Sequence, residues 1–331
     1  MKVLVTGAAG FIGMHCAERL CARGDEVLGL DNLAPPQQPE LTQARLERVK
    51  ALPRFRFERL DLVEGAALQA RIAEWRPERV LHLAAQAGVR YSLENPAPFV
   101  QSNLVGFANV LEACRRHPPA HLVFASSSSV YGSNAKLPWS ESDPVDHPVS
   151  LYAATKKSNE LMAHSYAHLF GIPATGLRYF TVYGPWGRPD MSPALFARAI
   201  MEGRPIQVFN QGDMERDFTY VDDVVEATLR VLDNAPAARS PDSAPTAKPP
   251  FRVFNVGNHQ PTALLAYIAT LEKALGKKAT LELKPMQPGD VKSTYADNRR
   301  LKEAVGFTPV TSLEEGLARY ARWFKSHYGY A

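Results

Sequence analysis

The first half of the chain repeats one pattern: a short apolar run, a glycine or acidic residue at its end, then a longer stretch whose apolar residues recur at helical spacing. This alternation predicts parallel strands joined by crossover helices, and hence a doubly wound sheet. The expected strands are Lys2 to Thr6, Glu26 to Leu30, Phe55 to Arg59, Arg79 to Leu83, His121 to Ala125 and Ala174 to Arg178. Helices such as Met14 to Arg23 and Ala66 to Trp75 lie between them. Past Tyr179 the regularity weakens. Short runs at Ile206 to Phe209 and Phe251 to Val256 alternate with helical stretches, which predicts a smaller mixed region capping the first lobe. Two parts are expected, 1–178 and 179–331, with some crossing of the chain between them. The stretch Ala235 to Pro250 is dense in Ala, Pro and Ser and reads as a surface loop.

Composition narrows the class. With 331 residues and 45% hydrophobic content the chain can bury a large core. Lys and Arg number 38 against 34 Asp and Glu, a net +4 spread along the sequence, which argues against a nucleic-acid partner. The three cysteines, Cys16, Cys21 and Cys114, show no metal-type spacing, so no metal is expected and the thiols read as buried in a reducing compartment. The N-terminus runs straight into a strand and no long apolar span follows, so a cytoplasmic protein without a membrane segment is expected.

The first strand leads into Gly7-Ala8-Ala9-Gly10-Phe11-Ile12-Gly13, with a helix expected to begin close to Gly13. Glycines at these points permit a tight turn, close backbone approach to a pyrophosphate at a helix N-terminus, and close helix–strand contact. Ordinary turns also use glycine freely. Asp31, at the end of the next strand beside Asn32, can accept hydrogen bonds from both adenosine ribose hydroxyls or be a solvated strand-end acid. Its charge would oppose a 2′-phosphate, which favours NAD over NADP. Asp61, beside Leu62, can meet an adenine amino group or act as a helix N-cap.

Tyr152 and Lys156 stand four residues apart, on one face of a helix. A free phenol has a pKa near ~10, and a neighbouring ammonium lowers it toward the range of a useful base. An exposed helix face can carry the same pair by chance. Upstream, Ser126 to Ser129 follow a strand end, where open α/β folds bind ligands and where serine-rich turns are also common.

Gly7xxGly10xxGly13, Asp31, Asp61-Leu62, Leu83-Ala84-Ala85, Asn103, Ser127 and Tyr152xxxLys156 together resemble the extended short-chain dehydrogenase/reductase superfamily over nearly the whole chain. The resemblance implies an α/β fold: a Rossmann doubly wound parallel sheet in 1–178 binding NAD, and a smaller mixed α/β C-terminal lobe in 179–331 binding a nucleotide sugar. A homodimer is implied as well. Tyr152 is then the base, Ser127 its hydrogen-bonding partner and Lys156 the group that holds the nicotinamide ribose. Asn103 and Tyr179 join the cofactor residues, though Asn103 has a packing or turn reading beside that one.

Three longer segments sharpen the resemblance: Ala85-Gln86-Ala87-Gly88-Val89-Arg90-Tyr91-Ser92, the run from Arg178 to Met191, and Met286-Gln287-Pro288-Gly289-Asp290-Val291 are similar to UDP-glucuronate 4-epimerases. Dehydratases carry an acid–base pair in the serine turn and decarboxylases a glutamate where Ser129 stands, so the turn here implies return of hydride to the other face of a 4-keto sugar. Thr181 and Gln287 depart from UDP-glucose 4-epimerases. Hydroxyls at Ser128, Ser129 and Thr181 can hold a sugar carboxylate. The same resemblance makes Arg216 a diphosphate ligand, with Val208 and Phe209 beside uracil and Asp290 at the nucleotide ribose. Arg216 can otherwise pair with Asp217 or Asp222, and Val208 and Phe209 can simply pack. Arg90 and Arg188 can face phosphate or carboxylate, or solvent. A 4-epimerase of neutral UDP-hexoses and a non-catalytic NAD-sensing protein are the competing readings.

Overall fold

A computed structural model describes residues 1–34, 39–237, 248–287 and 289–330. In chain order the elements begin β1 (Lys2–Thr6), α1 (Phe11–Ala22), β2 (Glu26–Asp31), α2 (Pro39–Lys50), β3 (Phe55–Arg59), α3 (Gly65–Trp75) and β4 (Arg79–His82). Short helices α4 (Tyr91–Glu94) and α5 (Ala97–Phe99) lead through a π-helical turn, Val100–Val105, into α6 (Gly106–Arg116). Then come β5 (His121–Ser127), α7 (Leu151–Phe170), β6 (Ala174–Tyr179), β7 (Thr181–Tyr183), α8 (Ser192–Glu202), β8 (Ile206–Val208), β9 (Glu215–Tyr220) and α9 (Val221–Asp233). The chain ends with β10 (Phe251–Val256), β11 (Pro261–Ala263), α10 (Leu264–Leu275), β12 (Leu281–Leu283), α11 (Arg299–Val305) and α12 (Leu313–Tyr328).

Seven strands form the central sheet in the order β10-β6-β5-β4-β1-β2-β3, with β3, β2, β1, β4 and β5 paired in parallel. Strands covered on both faces must be apolar throughout, and Val3, Leu4, Val5, Leu122, Val123 and Phe124 are all fully buried. On one face Leu68 and Ile72 of α3 and Phe107, Val110 and Leu111 of α6 close over Leu4, Leu28, Val80 and Leu122. The doubly wound parallel sheet expected from the sequence is present.

Several boundaries differ from expectation. Helix α1 starts at Phe11 with Gly10 as its N-cap, two residues before Gly13. Strand β4 stops at His82, while β5 runs on through Ser126 and Ser127 and β6 through Tyr179. The largest correction concerns Phe251–Val256. Its apolar pattern suited any strand, but it joins the central sheet beside β6 and not the smaller region. Of the loop expected over 235–250, residues 238–247 lie outside the described residues.

Backbone packing divides the chain into two compact units. Met1–Asn134, Pro144–Arg178 and Thr228–Phe254 form the first; Ala135–Asp143, Tyr179–Ala227 and Asn255–Ala331 form the second. Within the second, β9 pairs with β11 antiparallel and with β7 in parallel, and β8 pairs with β12 in parallel. Its core is aromatic: Phe218 stacks on Tyr267 at 4.3 Å, and Tyr183, Tyr320 and Phe324 are buried.

Candidate active site

The turn between β1 and α1 is dictated by backbone sterics. Gly7 has φ +72° and donates its N–H to the Leu30 carbonyl at 2.8 Å. A Cβ there would lie 2.7 Å from the Ala84 nitrogen, and one on Gly13 would lie 2.0 Å from the Gly7 carbonyl oxygen. No side chain caps α1, so the first N–H groups of the helix have no partner of that kind. Phe11 is buried behind this turn and Ile12 half-buried.

Asp31 closes the same cradle. One carboxylate oxygen accepts from Ala9 N–H at 3.0 Å and the other from Leu33 N–H at 2.8 Å. Burial raises its pKa, while the two backbone donors and the charge of Arg45 on α2 pull it down. Arg45 is a cation that adjacency in sequence did not reveal. Asp61 accepts from the Asn32 amide at 2.9 Å and from Val63 N–H at 3.1 Å, and α3 starts only at Gly65. The N-cap reading of Asp61 is therefore overturned. Leu62 is buried in the core, whereas Leu83, Ala84 and Ala85 are half-buried beside the glycine turn.

Beneath them Thr6 Oγ1 meets His82 Nδ1 at 2.8 Å, and burial followed by the Lys156 charge lowers the His82 pKa to about 3, so this imidazole stays neutral. Asn103 sits inside the π-helical turn, a geometry found often at functional sites. Its amide accepts from Gln86 N–H at 2.8 Å and donates to the Gln86 carbonyl and to Thr155 Oγ1, each at 3.0 Å. Thr155 donates in turn to the Tyr152 carbonyl at 2.8 Å. Asn103 is thus a brace between the segment after β4 and α7. The sequence reading missed both Gln86 and Thr155 as its partners.

Helix α7 starts on the Ser150 hydroxyl, which accepts from Ala153 N–H at 3.1 Å. Lys156, 2% exposed, donates to the Ala125 carbonyl at 2.9 Å, and burial lowers its pKa to about 8. One turn earlier Tyr152 is half-buried, its ring edge-on to Phe99 at 6.2 Å. The four serines divide their work. Ser126 donates to Glu160 at 2.7 Å. Ser127 Oγ accepts from both the amide and the hydroxyl of Ser129, at 3.2 and 2.9 Å. With its lone pairs so engaged, Ser127 has its own O–H to give. Ser128 opens the half-buried turn after β5, and Arg90 is exposed just ahead of α4.

In the second unit, Arg216 donates to Asp290 at 2.6 Å and to the carbonyls of Glu215 and Lys292 at 2.8 and 3.1 Å. The sequence reading offered Asp217 or Asp222 as its structural partners. Asp217 instead accepts from the N–H groups of Asn258, His259 and Ala296, and Asp222 receives Arg319. Arg188 forms a two-pronged pair with Asp190 at 3.0 and 2.5 Å. Val208 is fully buried, Phe209 and Thr181 are half-buried, and Tyr179 at the end of β6 is buried. Among the described residues no cluster of three or more His, Cys, Asp or Glu could hold a metal, and no helix is long and apolar enough to cross a membrane.

A probable UDP-glucuronate 4-epimerase of Rhizobium meliloti is 47% identical, covering 99% of this chain and 98% of that protein. The crystal structure of UDP-glucuronic acid 4-epimerase from Bacillus cereus in complex with UDP-glucuronic acid and NAD matches with a TM-score of 0.89 at 34% identity, over 99% of this chain and all of that one. UDP-glucose 4-epimerase with UDP-glucose from Thermotoga maritima follows at 0.87 and 31%, with 99% and 100% covered. Residues 3–257 match the family model for NAD dependent epimerases and dehydratases, and the chain belongs to that family.

Proposed function

We propose that this protein is an NAD-dependent 4-epimerase of UDP-sugars acting on UDP-glucuronate to give UDP-galacturonate. One observation carries the reading: a fully buried lysine, tied to the end of β5, lies one helical turn from Tyr152 and beside the serine turn. The chain's similarity to proteins named for that reaction, above its similarity to UDP-glucose 4-epimerase, supports the acidic sugar.

The glycine cradle fits a dinucleotide, since any Cβ at Gly7 or Gly13 would collide with backbone that must stay close. Gly7, Gly10, Phe11, Ile12, Gly13, Asp31 and Asn32 would hold NAD, with Asp61, the segment Leu83 to Ala85, Tyr179 and Lys156 completing the set and Asn103 bracing it. Bound NAD would supply a reversible hydride acceptor. Tyr152 takes the proton from the sugar O4 and later returns it, Ser127 donates a hydrogen bond to the reacting oxygen, and Lys156 holds the phenol toward its ionised form. Ser128, in the first unit, is assigned to the sugar carboxylate, Ser129 being engaged with Ser127; Thr181, in the second, is assigned to the nucleotide sugar. Arg90 and Arg188 serve the charged parts of the substrate. In the second unit Arg216 takes the diphosphate, its planar fork already oriented by Asp290 and two carbonyls, while Asp290, Val208 and Phe209 serve the uridine. On this reading most of the dinucleotide contacts fall in the part spanning 1–178 and the nucleotide end of the sugar in 179–331.

The protein is expected to work in the cytoplasm as a homodimer. Leu161, Leu169 and Phe170, 57, 68 and 47% exposed on α7, support an association surface.

Incubation with UDP-glucuronate without added reductant, followed by separation of UDP-galacturonate from UDP-pentoses, tests the function. UDP-galacturonate is the expected product. Conversion of UDP-glucose alone would establish the neutral-hexose reading, and NAD binding without any conversion the sensing one.

A further inference from the structure

A carboxylate taken out of water needs partners that offset its lost hydration. Glu160, 4% exposed, accepts three hydrogen bonds and has the Lys157 ammonium 3.9 Å from Oε2. Arg178 Nε and Nη2 reach its two oxygens at 2.8 Å each, and the Ser126 hydroxyl donates to Oε1 at 2.7 Å. The Arg178 guanidinium also lies 4.8 Å from the centre of the Tyr131 ring. Ser126, Arg178 and Tyr131 are each no more than 3% exposed. An ion pair this deep is weak evidence of stabilisation, because well-packed apolar side chains of similar volume often serve as well or better. A two-pronged charge pair with an added hydroxyl supplies something else, a fixed direction and register.

Every member of the cluster adjoins a residue already assigned to the site. Ser126 precedes Ser127, Arg178 precedes Tyr179, and Tyr131 ends the turn that contains Ser128 and Ser129. Glu160 stands one helical turn beyond Lys156 and two beyond Tyr152 on the same face of α7. Consecutive residues of β5 take consecutive turns of that face, Ala125 from Lys156 and Ser126 to Glu160. A slide or roll of α7 along β5 would break both contacts and carry Tyr152 with it.

We infer that Glu160, Arg178 and Ser126 are positioning residues, which lock the register of α7 against β5 and so set Tyr152 and Lys156 over the end of that strand. This rests on the reading of Tyr152 and Lys156 as the proton-handling pair. The test pairs Glu160→Leu/Arg178→Met, an apolar substitute of similar bulk, with the single change Ser126→Ala. Measurements are kcat and KM for UDP-glucuronate, the thermal midpoint, and amide hydrogen exchange across 125–131 and 150–160. The apolar pair is expected to keep the midpoint and KM close to those of the parent while kcat falls about tenfold to a hundredfold, the scale of a catalytic group misplaced by about 1 Å. Exchange should quicken in the two segments and not elsewhere. A parent-like kcat and exchange pattern in the apolar pair overturns the inference. Should that variant not fold, Ser126→Ala decides. A loss in kcat of about threefold to tenfold at unchanged midpoint and KM, the scale of one hydrogen bond, upholds the cluster, and unchanged kcat and exchange sink it. If the parent converts no UDP-sugar, the proposed function falls while the exchange data still judge the cluster: local quickening upholds it and an unchanged pattern overturns it.

Discussion

Two strand ends of one sheet do different work by different means. At the end of β1 the turn is held by what the backbone excludes: positive φ at Gly7, no room for a Cβ at Gly13, and peptide donors holding Asp31. At the end of β5 the arrangement is held by side chains donating to one another, Ser129 to Ser127, Ser126 to Glu160, and Lys156 to the strand itself. Damage to the first should remove the cofactor with its binding site. Damage to the second, Lys156 apart, should leave the cofactor bound and stop the chemistry.

Tyr152→Phe gives the largest separation of the two. Conversion should fall by about 10²–10⁴, the usual weight of a positioned general base, with NAD affinity nearly unchanged by calorimetry. Retained turnover would take Tyr152 out of the role of base. Gly13→Ala inverts the pattern. Its methyl would need the space of the Gly7 carbonyl, which is backbone and cannot swing aside. The expected cost is roughly 1–3 kcal/mol of stability, seen as a lower thermal midpoint, together with at least about tenfold weaker NAD binding. An alanine variant that melts and binds like the parent would show that the turn is looser than its geometry implies.

Lys156 belongs to the second strand end and yields a pH test with two opposed signs. Burial brings it from the ordinary 10.5 to about 8. Above about pH 8 it loses the proton, the phenol loses its neighbouring cation, and kcat should decline. Between about pH 8 and 10.5 the unfolded chain holds that proton more tightly than the folded one, so the contribution of this group to stability rises with pH. Melting midpoints of the parent and Lys156→Met across that range isolate the contribution. Activity and this stability increment moving in the same direction would contradict the burial argument.

How much of this could be read in the sequence follows the same division. The glycine turn was legible because its constraints act within a dozen residues and leave glycine no substitute. Tyr152 and Lys156 were legible as a spacing, since four residues on a helix is one face. Their supports were not. Glu160 finds Arg178 eighteen residues away and Ser126 thirty-four away, and Arg216 finds Asp290 seventy-four away, where an ion pair leaves no periodic trace. Asp217 and Asp222, close to Arg216 in sequence, were the wrong partners for that reason. Phe251–Val256 was readable as a strand but not as a member of the central sheet, because an apolar run does not encode its neighbour. Asp61 was misread as a possible cap because the acceptor a helix start needs is also what the Asn32 amide needs.

The smallest expected effect concerns what the serine turn lacks. A 4-keto glucuronate is a β-keto acid, which sheds carbon dioxide when the carboxylate can align with the neighbouring carbonyl and a proton donor is at hand. The turn at 128–131 offers hydroxyls and no carboxyl group, and the Ser129 hydroxyl is already turned onto Ser127. Holding the carboxylate from Ser128 should keep it out of that alignment. Ser128→Ala should therefore leave kcat within about threefold, the worth of one neutral hydrogen bond, while raising the fraction of turnovers that end as UDP-pentose. The measurement is the ratio of UDP-pentose to UDP-galacturonate at equal conversion. An unchanged ratio would mean that carbon dioxide is retained because no acid stands in the turn, and that the orientation of the carboxylate contributes nothing.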